Sequence, residues 1–219
     1  SLLEGLQVTV PVGFDRSHIP EILHQKRNWI ERTSQRLEAQ RHRMGADASD
    51  RLPHQIELRA IGETWDLEYR STPGSSLKAI EQIRDRLLLK GAIDPPDLCR
   101  SALKQWLIHK AQKSLVPWLH QLSWDHQLPF QRACIRGQKT RWGSCSRTHT
   151  INLNYRLLFL PPPLVRYVLI HELCHTVHLN HSSQFWSLVA KKEPGYAQSD
   201  AELRDAAQYV PLWLEVDDS

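Results

Sequence analysis

Cysteine is scarce in this sequence and never closely spaced. Its four copies, Cys99, Cys134, Cys145 and Cys174, form no CxxC pair, and 219 residues are enough to bury a sizeable core without cross-links. A disulfide framework is excluded as the organising principle, and a reduced, cytoplasmic setting is expected. Long apolar runs are missing too. The run Leu157–Leu160 stops at Pro161-Pro162-Pro163, far short of the roughly 20 residues of a spanning helix, so no membrane partner is expected. The sequence shows no internal repeat and no low-complexity tract, and no charged-then-apolar leader opens it. What is present, 41% hydrophobic and 24% charged residues at a mean hydropathy of -0.48, describes a globular chain rather than a disordered one.

Charge of either sign is nearly balanced, with 28 Lys and Arg against 24 Asp and Glu. The excess is concentrated between Lys26 and Arg43, where six basic residues face two acidic ones, a net +4 equal to that of the whole chain. A stripe of this kind can follow a phosphate backbone. No basic–aromatic interleaving or base-reading motif accompanies it, so the solvated face of a surface helix is the plainer reading.

Periodicity divides the chain into strands first and helices later. Leu6–Val12 alternates as a strand, and Ser17 and Pro20 open a helix with apolar Ile22, Trp29, Ile30 and Leu37 that Gly45 stops. Two alternating segments flank Gly62-Glu63 as a hairpin. Leu77–Lys90 suits either a helix or a second hairpin. Asp94-Pro95-Pro96 starts a helix with Asp94 as its cap, and Pro117 is expected to break it before a second helix reaches Leu122. Gln131–Arg136, Thr140–Ser146 and Thr150–Asn154 read as short strands. The triple proline precedes a helix over 164–178 that Asn180 can close in a left-handed conformation. A short helix spans Ser183–Lys191, and Ser199-Asp200-Ala201-Glu202 forms a capping box for a last helix that Pro211 ends. The pattern predicts an α+β fold, with a β-rich region over 1–92 and a helical domain over 93–219, or one continuous domain.

One motif carries chemistry. His171-Glu172-Leu173-Cys174-His175 places two imidazoles at i and i+4 on one helix face, about 6 Å apart along the axis, where both can reach one ion at bonds of about 2.0 Å. Glu172, turned about 100° away, stays out of the ligand set yet can act on a water as general base. His178 lies on nearly the same face as His171 but about 10.5 Å further along an unbroken helix, too far to share the ion. His181 lies past the expected turn at Asn180, so its ring can swing back. The set His171, His175 and His181 is therefore expected, with His178 beside it or exposed. A carboxylate from Glu193, Asp200 or Glu202 is the rival third ligand. Three protein ligands with an open position describe a catalytic site, and a fourth would describe a structural one.

Around this motif stand Thr140-Arg141-Trp142-Gly143-Ser144-Cys145-Ser146, then Ile151-Asn152-Leu153-Asn154-Tyr155-Arg156-Leu157, Tyr167-Val168, Asn180-His181-Ser182 and Phe185-Trp186. Together they closely resemble the YgjP-like metallopeptidase domain family, a group related to the SprT/Spartan and WLM zincins. The likeness extends more weakly to Trp29-Ile30 and the hairpin around Gly62. The resemblance implies a zincin-like domain in which positions His171, His175 and His181 hold Zn2+ and Glu172 is the catalytic base. It also implies strands over Leu77–Lys90. Cys174 stands where such sequences often carry a small residue and is expected to pack aside.

The segment before the motif offers substrate contacts. Gly143 permits close backbone approach, and Arg141 can meet a carboxylate, a phosphate or a developing oxyanion, as can His178. The alternative makes Trp142 core, Arg141 a structural ion-pair partner and Cys145 an inert thiol. The leading expectation is a zinc metallohydrolase acting on a peptide or protein. A zinc-dependent nucleotide hydrolase and a nucleic-acid or protein-binding module with structural zinc are the competing classes.

Overall fold

A computed structural model describes residues 8, 10, 13–27, 30–31, 34, 52–138 and 140–214. Apart from Val8 and Val10, neither of which is in a strand, the predicted strand over 6–12 lies outside the described residues, as does most of the basic segment 26–43. Of the first helix, a 3-10 turn Arg16–His18 and α1, Ile19–Gln25, are described, with Asp15 capping the turn through the Ser17 amide. Within the basic segment Arg27 pairs with Glu31 at 2.8 Å, both exposed.

The fold is α+β. Strands β1 (Gln55–Leu58) and β2 (Glu63–Ser71) form the expected antiparallel pair, joined by a 3-10 turn, Arg59–Ile61, that ends on Gly62 at φ 66°. Leu77–Lys90 is resolved as strands: β3 (Leu77–Gln82) and β4 (Arg86–Gly91) pair antiparallel, and β4 lies parallel to β2, giving the order β1-β2-β4-β3. As an inner strand, β4 buries Leu87, Leu88 and Leu89 consecutively, so its apolar run lacks the alternation that would have separated strand from helix. At Gly91 (φ 137°) a Cβ would overlap the Ser76 carbonyl oxygen, so only glycine lets β4 end there.

Helix α2, Pro96–His126, is the spine, with Cys99, Leu103, Leu107, Ala111, Leu115, Leu119 and Leu122 buried along one face. Two expectations fail in it. Asp94 does not cap it; Pro95 occupies the cap position and Pro96 the first turn, where no amide partner is needed. Nor does Pro117 break it. Pro117 and Lys113, whose carbonyl loses its partner, are both exposed, so water satisfies that carbonyl while the buried stripe continues past it.

A second sheet follows, β5 (Arg132–Arg136), β6 (Gly143–Cys145) and β7 (Thr150–Asn154), in the order β5-β7-β6 with β6 at an edge. A buried 3-10 turn, Tyr155–Phe159, leads to α3, Pro162–Cys174. Helices α4 (Ser183–Lys192) and α5 (Tyr196–Leu203) close the chain with 3-10 turns at Ala206–Tyr209 and Leu212–Leu214. The expected capping box does not form: Ser199–Glu202 lie inside α5, which starts at Tyr196. One hydrophobic core runs from Ile56 and Leu58 to Trp213 and Leu214. All four cysteines are free thiols. No helix among the described residues is long and apolar enough to cross a membrane.

Candidate metal centre

The site is built where α3 ends. The expected helix over 164–178 stops at Cys174, four residues early, and Asn180 does not take a left-handed conformation. The last turn tightens instead: the Thr176 amide bonds to Leu173 O at 3.0 Å and the Val177 amide to Cys174 O at 3.1 Å, the shorter-range pattern of a fraying C-terminus. Residues 177–180 then lead the chain back, and Ser182 caps α4 by accepting the Phe185 amide. The measurement of His178 along an unbroken helix therefore does not apply, although the ring it set aside stays outside the cluster.

His171, His175 and His181 converge. Their Nε2 atoms lie 3.2 Å apart for His171–His175 and 3.1 Å for His171–His181, and the three ligand atoms all fall within 4.8 Å of one another. Tetrahedral bonds of about 2.0–2.1 Å demand donor separations of about 3.3–3.4 Å, so the spacing fits one ion of zinc size. The carboxylates weighed as third ligands are engaged elsewhere: Glu193 with Arg166 at 2.9 Å, Asp200 with Tyr167 at 2.9 Å and Glu202 with Gln198 at 2.8 Å.

Outer contacts set the tautomers. His175 Nδ1 lies 2.9 Å from the His178 carbonyl oxygen. A carbonyl only accepts, so Nδ1 carries the proton and Nε2 presents its lone pair. His178 thus contributes its backbone, and its half-buried side chain is not in the cluster. The Tyr167 hydroxyl donates to Asp200 Oδ1 at 2.9 Å and faces His171 Nδ1 at 3.4 Å, leaving its oxygen to accept from that ring. Arg204 holds Asp200 in turn at 3.0 Å. Neither Tyr167 nor Asp200 was assigned this role from sequence. The i, i+4 spacing of Tyr167 and His171 was the available signal for the first, whereas Asp200 arrives from another helix.

Rings pack around the imidazoles. Phe185 stacks on His175 at 4.4 Å between centroids, and Trp186 stacks on His181 at 5.5 Å. Burial, reinforced by His175 and His181, pushes His171 down to about 4, and burial also lowers His175. Both rings are therefore neutral near pH 7, as ligands must be.

Glu172 is 6% exposed, and its Oε2 has no hydrogen-bond partner. Burial pushes its carboxyl up to about 8, opposed by the charge of Arg141. Its neighbour is β6. Gly143 does leave room for close approach, but Glu172 occupies that room: a Cβ at 143 would lie 2.7 Å from Glu172 Oε1. The loop entering β6 is anchored by Asn154, 2% exposed, whose Nδ2 donates to Gln138 O at 2.7 Å and Arg141 O at 2.9 Å. Arg141 is exposed, and Trp142 packs against the core. Cys145 and Cys174 lie outside the cluster, and burial pushes each thiol up to about 11.

A model of the YgjP-like metallopeptidase domain matches residues 3–206, so the chain belongs to that family. None of the curated proteins matches it. Among solved structures, the metallopeptidase zymogen abylysin of Pyrococcus abyssi is similar over 41% of this chain and 91% of its own, at 28% identity and a TM-score of 0.38.

Proposed function

We propose that this member of a metallopeptidase family is a zinc-dependent peptidase that uses Glu172 as its general base. The observation carrying the reading is the convergence of three imidazoles, with His171 Nε2 3.1 Å from that of His181 and 3.2 Å from that of His175, beside a buried carboxylate with an unpartnered oxygen. His171, His175 and His181 would hold the ion, and three imidazoles suit zinc well. Zinc bound to such a set supplies a Lewis acid that polarises a carbonyl and acidifies a water.

The chain's own residues supply the rest. Glu172 Oε2 accepts the proton of the attacking water and passes it to the leaving amine, and burial makes the carboxylate the stronger acceptor in the first of these transfers. Gly143 keeps that carboxylate against β6, and Tyr167 with Asp200 holds the His171 ring. Edge strand β6 offers unpaired backbone groups to an extended peptide. Metal content by elemental analysis and turnover of a peptide library test the reading. One zinc per chain is expected in the wild type and in Glu172→Gln, with hydrolysis only in the former. Equal hydrolysis by both would remove Glu172 from the reaction, and absence of bound zinc under metal-replete conditions would remove the mechanism.

A further inference from the structure

Beside the metal centre lies a cleft of about 170 Å³ lined by Arg141, Arg156 and Arg204, with Gln138, Thr140 and Trp142 among its other walls. No carboxylate lines it. Asp200 engages Arg204 at 3.0 Å, and the Arg156 guanidinium, 8% exposed as a residue, bonds to Leu214 O at 3.4 Å. Arg141 has no ion-pair partner within 4 Å among the described residues. Gln138 Oε1 is buried in the wall without a hydrogen-bond partner, so the amide retains bonding capacity for a ligand.

The position of this cleft ties it to the reaction. Trp142 forms one wall, and the next residue, Gly143, abuts the Glu172 carboxylate. The lining also includes Arg204, whose partner Asp200 supports Tyr167 and through it His171. Size narrows the occupant. Sites for drug-sized ligands measure about 300–1,000 Å³, so this volume suits a single residue and is too small for a nucleotide. Planar guanidinium groups match a carboxylate through paired N–H donors, and the unpartnered Oε1 of Gln138 can accept from the N–H of the same residue.

We propose that this cleft is a subsite for the free C-terminal carboxylate of a peptide substrate, with Arg141 and Arg204 as its binding residues. The assignment rests on the peptidase reading and makes the enzyme one that acts near chain ends. Arg141 and Arg204 grip the carboxylate, Gln138 meets the terminal amide, and the scissile bond lies toward Glu172.

Direct binding tests it separately from catalysis. Metal-replete Glu172→Gln would be titrated with an Nα-acetylated tetrapeptide library ending in free carboxylates and with the same library ending in amides. Binding of the acids about ten- to a hundredfold tighter than the amides is expected, with the preference lost in Glu172→Gln carrying Arg141→Gln or Arg204→Gln. Arg141→Gln alone suffices if the second change disturbs Asp200, which its zinc content would reveal. Equal affinity for acids and amides, no binding of either, or a preference that survives both substitutions would overturn the proposal. So would displacement of the acids by equimolar inorganic phosphate. Loss of wild-type turnover on every peptide, by contrast, would count against the peptidase reading and leave the binding result standing on its own.

Discussion

Gly143 and Glu172 are in van der Waals register across two elements: the edge strand β6 runs so close to α3 that a methyl group at 143 would overlap the Glu172 side chain. The backbone of one element thereby sets the rotamer of the acid on the other. A general base must stand within hydrogen-bond reach of its proton, and a displacement of about 1 Å can cost about a hundredfold in rate.

Gly143→Ala is accordingly expected to lower kcat about ten- to a hundredfold while zinc stoichiometry stays at that of the wild type. Steady-state kinetics alongside elemental analysis checks this. An unchanged kcat would show that the carboxylate finds an equivalent pose.

Glu172 also makes stability depend on pH. Its folded pKa, about 8, lies above the ordinary carboxyl value of 4.5, so its stabilising contribution is complete below about 4.5 and is lost as pH rises through about 8. In metal-free protein, Glu172→Gln should gain on the wild type by a few kcal/mol between pH 5 and pH 9. Denaturant unfolding of both in chelator, compared at the two pH values, measures it. His171, held near 4, acts in the opposite sense at acid pH, costing stability as pH falls below about 6.5, and cancels in the difference between the two proteins. A constant difference across the range would contradict the burial argument.

The hydrogen bonds behind the ligands have their own signature. Tyr167→Phe and Asp200→Asn each loosen the His171 ring and should weaken zinc affinity about ten- to a hundredfold. Chelator competition reads this directly. Affinities equal to the wild type would mean that aromatic packing alone orients the ring.

His178 and His181 separate backbone from side chain. His178→Ala leaves its carbonyl in place for His175 Nδ1, so zinc affinity within about threefold of the wild type is expected, whereas His181→Ala should lose stoichiometric zinc. The same competition assay compares them, and a large loss in His178→Ala would place its ring at the metal.

Much of the centre was legible because its spacing is local. An HExxH segment on a helix brings His171 and His175 to one face whatever surrounds it, and the hairpin at Gly62 announces itself by alternation on both sides. Where burial decided the outcome, reading along the chain fell short. Leu87–Leu89 are apolar without period because β4 is covered on both sides. Pro117 stays in its helix because its unpaired carbonyl neighbour faces water. Asp200, read as part of a cap, belongs to the interior of α5 and supports Tyr167.

Residue order alone determined the chemistry available to this protein: two imidazoles one helical turn apart, a carboxylate beside them and a third histidine within reach of a return. Only the tertiary structure decided how that chemistry is held. The early end of α3, the carbonyl of His178, the hydroxyl of Tyr167 and the strand pressed onto Glu172 all depend on contacts between segments distant in sequence or on a turn the periodicity did not mark. Helical spacing is a property of bonded neighbours, whereas tautomer, rotamer and burial are set by whatever packs against them.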